Sequence, residues 1–91
     1  MRIDWDERKN RRLTEERGIS FEVVQQVIED GGYEIRAHPD PERYPDQILL
    51  IFRYRDYTWV CPAVRGRDSL FLKTVYPSRK YDHLWRKRGQ D

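Results

Sequence analysis

Gln47–Val64 reads QILLIFRYRDYTWVCPAV, and this stretch decides the fold. Two runs rich in β-branched and aromatic residues flank Arg55 and Asp56. That pattern predicts two strands joined by a tight hairpin turn. Side chains alternate along a strand. Ile48, Leu50, Phe52 and Tyr54 therefore share one face, and Leu49, Ile51, Arg53 and Arg55 share the other. Pro62 falls inside the second run. It has no N–H to give to a ladder, which predicts an edge position, a bulge or an early strand end.

Working outward, RGRD at 65–68 supplies a second turn, and SLFLKTVY at 69–76 reads as another strand. Unbroken alternation would put Leu70, Leu72, Thr74 and Tyr76 on one side and Phe71, Lys73 and Val75 on the other. Upstream, YEIRAH at 33–38 alternates too, ahead of the proline-rich loop PDPERYPD at 39–46. One sheet face is expected to bury its apolar set. The other would gather Arg36, His38, Arg53 and Lys73.

The remaining segments carry helical signals. DWDERKNRRLTEERG, 4–18, offers Asp4 or Asp6 as a cap, holds Trp5 and Leu13 on a thin apolar face, and stops at Gly18. ISFEVVQQVIEDGG, 19–32, has Ser20 as cap, then Phe21, Val24, Val27 and Ile28 at helical spacing. The short connection between them predicts a helical hairpin. A last helix is expected from Arg79 to Arg88, capped by Ser78. The order α-α-β-β-β-β-α implies one α+β domain over 1–91. It has a helical hairpin and a C-terminal helix on one face of an antiparallel four-stranded sheet.

Charged residues make up 37% of the 91 and apolar ones 37%, yet aromatics reach 13%, which argues for a folded domain with an aromatic core. Cys61 is a single cysteine, which excludes an internal disulfide and a multi-cysteine zinc site. With no spanning apolar run and no signal-peptide pattern, the expectation is a cytoplasmic protein with no membrane partner. No metal-ligand spacing, phosphate loop or cofactor motif is present.

Charge is distributed unevenly. Residues 29–46 hold six acids against two Arg, whereas 47–91 hold ten Lys or Arg against four Asp. A basic half suits a polyanion. Arg53, Arg65, Arg67, Lys73, Arg79 and Lys80 accompany Tyr76 and Tyr81, the combination that neutralises phosphates and stacks bases. RNA cleavage needs no metal, because the 2′-hydroxyl can attack its own phosphate once aligned and deprotonated. Arg79 and Lys73 are the expected phosphate ligands, with Arg53 or Arg65 holding the backbone. Tyr76, Tyr81 or His83 is the candidate for proton transfer or stacking. Arg79 and Lys80 at the start of a final helix would form an anion seat.

Trp5-Asp6-x-x-Lys9 followed by Gly18-Ile19-Ser20-Phe21-Glu22 resembles the opening of BrnT-type toxins. Leu13 and Arg17 stand where that family has Asn and His. PSRKY at 77–81 resembles its final basic element, with Arg79 on the family's Arg. The resemblance implies a RelE-like fold and a ribonuclease toxin of a type II toxin–antitoxin module. It also implies a cognate antitoxin as partner, an RNA substrate, and operator DNA contacted only through the antitoxin. Lys9 is the second residue it points to after Arg79. A non-catalytic RNA-binding or protein-interaction module is the alternative reading.

Overall fold

A computed structural model describes residues 1–86. It shows an α+β fold of six strands and three helices: β1 Arg2–Trp5, α1 Glu7–Arg17, α2 Phe21–Asp30, β2 Tyr33–Ala37, β3 Gln47–Tyr54, β4 Tyr57–Arg65, β5 Ser69–Leu72, β6 Tyr76–Pro77 and α3 His83–Arg86. The sheet order is β1-β5-β4-β3-β2, with β6 also on β4. The strands from β2 to β5 form the expected antiparallel meander, but β1 joins β5 in parallel. The sheet is therefore mixed and larger than four antiparallel strands. Among the described residues no helix is long and apolar enough to cross a membrane.

The β3–β4 hairpin forms where the sequence places it. Arg55 and Asp56 both adopt positive φ, 53° and 65°, between the paired Tyr54 and Tyr57. Two left-handed residues match the twist of the flanking strands, so the hairpin closes in two residues.

Residues 2–5 were expected at or before a helix, and they form a strand. Ile3 and Trp5 turn toward the core opposite Leu70 and Leu72. Only pairing with a strand distant in sequence makes so short a segment regular. The chain then crosses from one edge of the sheet to the other through α1 and α2, which lays both helices over one face.

Local signals set the helix ends. The Asp6 carboxylate accepts the N–H groups of Arg8 and Lys9, and Ser20 accepts from Val23. Gly18 and Gly31 stop the helices at φ 69° and 80°, conformations that favour glycine. The corner between the helices is held by Asn10, which is 4% exposed. Its Oδ1 accepts the Phe21 N–H at 2.7 Å, and its Nδ2 donates to Glu22 at 2.8 Å and to Glu7 at 3.2 Å. Trp5 stacks on Phe21 with ring centres 5.7 Å apart.

The helix-side core joins Leu13, Ile19, Phe21 and Val24 to Ile48, Leu50, Phe52, Cys61 and Leu72. Burial pushes the Cys61 thiol pKa up, so it stays a protonated, apolar-like side chain. The opposite face carries a second cluster, in which Leu49, Ile51 and Val60 lie under Tyr76, Tyr81, Leu84 and Trp85. The C-terminal segment therefore covers the far face, and the helices do not all share one side as expected.

The strand expected at 69–76 is broken. Ala63 faces Leu72 and Val60 faces Tyr76, so three steps along β4 meet four along its partner. The extra residue is a bulge. Pro62 explains its place. The Pro62 carbonyl accepts the Lys73 N–H at 2.9 Å, so the missing Pro62 donor points at the same seam. An Arg17 guanidinium N–H donates to the Val75 carbonyl inside the break. The slip reverses the expected alternation: Val75 joins Leu70 and Leu72 in the helix-side core, and Tyr76 turns to the other face.

Candidate functional site

β3 and β4 set Arg53 opposite Thr58, on the face away from α1 and α2. Thr58 is 2% exposed, although it is polar. Its hydroxyl donates to Asp82 Oδ1 at 2.6 Å, and Arg53 Nη1 approaches the same hydroxyl at 3.4 Å. The Ser78 N–H donates to the Thr58 carbonyl at 2.9 Å, which fastens the segment after β6 alongside β4. A turn closed by Asp82 N–H to the Arg79 carbonyl, 3.1 Å, then brings Asp82 back over Thr58.

These groups line an open pocket of about 610 Å³. Arg53 and Arg79 supply cations to it, and Asp56 and Asp82 supply carboxylates. Tyr57, 58% exposed, stands in its wall. None of the four charged side chains is in an ion pair among the described residues. Two guanidinium groups and two carboxylates thus share one pocket without neutralising each other in pairs.

The expected site residues divide. Arg53 and Arg79 meet in this pocket. Tyr76 and Tyr81 pack on the second apolar cluster, outside the pocket lining. Burial, with smaller contributions from Tyr81 and Cys61, raises the Tyr76 pKa, so its phenol keeps its proton. Lys80 places its ammonium 5.6 Å from the centre of the Tyr81 ring. His83 opens α3, exposed and away from the pocket lining. Lys73 is exposed at the bulge and does not line the pocket either.

Arg65 ends β4, about 23 Å from Thr58 at roughly 3.3 Å per residue, and Arg67 follows in the turn beyond it. They border a smaller groove of about 240 Å³ whose walls include Ile28, Ile35 and Leu70. Lys9 is in the first turn of α1, over the opposite face of the sheet. The expected anion seat at a helix start is also corrected. Arg79 and Lys80 precede α3 in a turn, and α3 covers the last four of the described residues. Arg88 and the rest of the helix expected beyond Arg86 lie outside the described residues.

Sequence reasoning missed Thr58, Asp82, Asp56 and Tyr57. Arg53 and Thr58 become neighbours once the Arg55–Asp56 turn fixes the register, so that half was available from the hairpin. Asp82 was hidden by the helix expected through it. Comparison with known protein families, curated proteins and solved structures finds no match to the chain.

Proposed function

We propose that the protein is a metal-independent endoribonuclease of the toxin kind found in type II toxin–antitoxin modules, with a RelE-like fold. The observation that carries this reading is the mixed pocket: Arg53 and Arg79 beside Asp56 and Asp82, open to solvent. A surface built only to hold a polyanion gains from cations and loses from carboxylates. Phosphoryl transfer to an internal hydroxyl needs both: cations for the charge on phosphorus and a group to take a proton.

The BrnT-like opening supports the same reading from another side. Trp5 and Phe21 stack, Asp6 and Ser20 cap the two helices, Gly18 ends the first, and Glu22 accepts from Asn10. The matched residues thus do structural work and speak for a common architecture. The chemistry rests on the pocket. In this reading the substrate is mRNA, a cognate antitoxin neutralises the toxin, and operator DNA is met only through that antitoxin.

A second reading is a non-catalytic RNA-binding or protein-interaction module. The groove beside Arg65 and Arg67, with Ile35 43% exposed, favours it. The deciding experiment incubates the purified protein with RNA in excess EDTA and follows growth on expression. Cleavage with growth arrest, both relieved by Arg79→Ala, is expected. Intact RNA together with normal growth would sink the ribonuclease reading.

A further inference from the structure

We propose that Asp82 takes the proton from the attacking 2′-hydroxyl and that Thr58 is the positioning residue that aims it. The proposal rests on the ribonuclease reading and assigns a role that reading leaves open. Three observations carry it.

The first is orientation. Thr58 is 2% exposed, and its hydroxyl donates its one proton to Asp82 Oδ1 at 2.6 Å. Arg53 faces the lone pairs of the same oxygen, at 3.4 Å. The order Arg53 to Thr58 to Asp82 leaves the carboxylate as the final acceptor. Its second oxygen, Oδ2, has no hydrogen bond among the described residues, and no ion pair holds it. One oxygen is pinned, the other has no partner among the described residues, and Asp82 lines the pocket.

Elimination is the second. Tyr76, Tyr81 and His83 do not line the pocket, and burial keeps Tyr76 protonated. Among the lining side chains the carboxylates are Asp56 and Asp82. Asp56 is exposed at the hairpin turn, and no partner among the described residues orients its side chain. Asp82 is half-buried and oriented.

The third is charge. Arg53 and Arg79 share the pocket with Asp82. Two guanidinium groups in one pocket can offset the repulsion between an anionic phosphate and a nearby carboxylate.

The step balances without a metal or redox partner. The O2′–H proton passes to Asp82 Oδ2 as O2′ bonds to phosphorus. The P–O5′ bond breaks with its electron pair going to O5′, which takes a proton from water. Asp82 returns its proton to solvent. The products are a 2′,3′-cyclic phosphate and a 5′-hydroxyl.

The test uses the full chain, a fluorogenic RNA oligonucleotide for cleavage, and its 2′-deoxy analogue for binding. Asp82→Asn keeps an oxygen for Thr58 but accepts no proton. It is expected to lower kcat about 100-fold or more, with affinity for the deoxy analogue within about threefold of wild type. Thr58→Val should lower kcat, and Thr58→Ser should recover it, because serine restores the hydroxyl. The wild-type kcat/KM profile should show an acid limb of unit slope that vanishes in Asp82→Asn. Wild-type cleavage that persists undiminished in Asp82→Asn overturns this assignment and leaves the ribonuclease reading standing. A wild type that binds RNA and cuts nothing overturns both. If Asp82→Asn fails to fold, the wild-type profile decides: a missing acid limb overturns the proposal.

Discussion

Among the described residues, the two faces of the sheet are covered by different amounts of chain. On one, two helices of 11 and 10 residues bury Phe21, Val24, Leu50 and Phe52 completely or nearly so. On the other, a turn and a four-residue helix lie over Leu49, Ile51 and Val60, and the covering side chains Tyr76, Tyr81, Leu84 and Trp85 are only half-buried. The candidate pocket belongs to this second face. The two faces divide the labour: the helix side packs β3 and β4 into the larger core cluster, and the thinner side carries the open pocket. Sites built on strands backed by a packed core keep their geometry better than sites on loops.

The largest expected effect tests that division directly. Phe52→Ala empties a fully buried position on the helix side and should cost about 3–5 kcal/mol. Leu84→Ala, on the half-buried cover, should cost about 1 kcal/mol. Urea unfolding of both variants measures the difference. Equal losses would mean that the two faces contribute alike and would break the comparison.

Asn10 comes next. Asn10→Ala leaves the Phe21 N–H buried without its acceptor and removes the link to Glu22. One orphaned group and one lost bond add up to about 2 kcal/mol. The loss should appear as a lower melting temperature. If the pocket binds RNA as proposed, the affinity of the folded protein should stay at the wild-type level, because Asn10 supports the helix side and the pocket is across the sheet. A parallel loss of affinity would show that the two faces are coupled.

How much of this was legible in the sequence depends on the range of the interactions concerned. The hairpin at Arg55–Asp56, the face assignment of Ile48 to Phe52 and the caps at Asp6 and Ser20 follow from neighbouring residues. β1 was missed because four residues give too little period without their partner in β5. The Lys73–Val75 break was half legible. Pro62 announced a fault in the ladder, but the one-residue slip that exchanges Val75 and Tyr76 between faces appears only in the pairing. The pocket was legible to the extent of Arg53 and Arg79. Asp82 was not, because its place depends on a turn in a segment whose pattern reads as helix.

A smaller effect sharpens the reading of the thin face. Tyr57 is exposed in the pocket wall and carries no structural burden comparable to that of Phe52. If an unpaired base stacks there, Tyr57→Ala should weaken binding of a single-stranded oligonucleotide by about tenfold, near the low end of one stacked base. The melting temperature should not move, and Tyr57→Phe should bind as wild type. Unchanged affinity in Tyr57→Ala would remove stacking from the account and leave the arginines.

The smallest expected effect is at Asp6, on the helix side. The N–H groups of Lys9 and Arg8 hold its carboxyl below the ordinary aspartate value near 3.8. A depressed folded-state pKa means that the ionised cap favours the fold. That contribution is complete above the ordinary value and is lost as pH falls through the lower folded-state one. Asp6→Asn keeps an oxygen for the N–H groups but does not titrate there. Between neutral pH and strong acid, the wild-type melting temperature should therefore fall slightly further than that of Asp6→Asn, because the main cause is the pair of backbone N–H bonds that the ionised carboxylate accepts. Thermal melts of the two proteins across that range measure the difference. Parallel curves would place the acid sensitivity elsewhere.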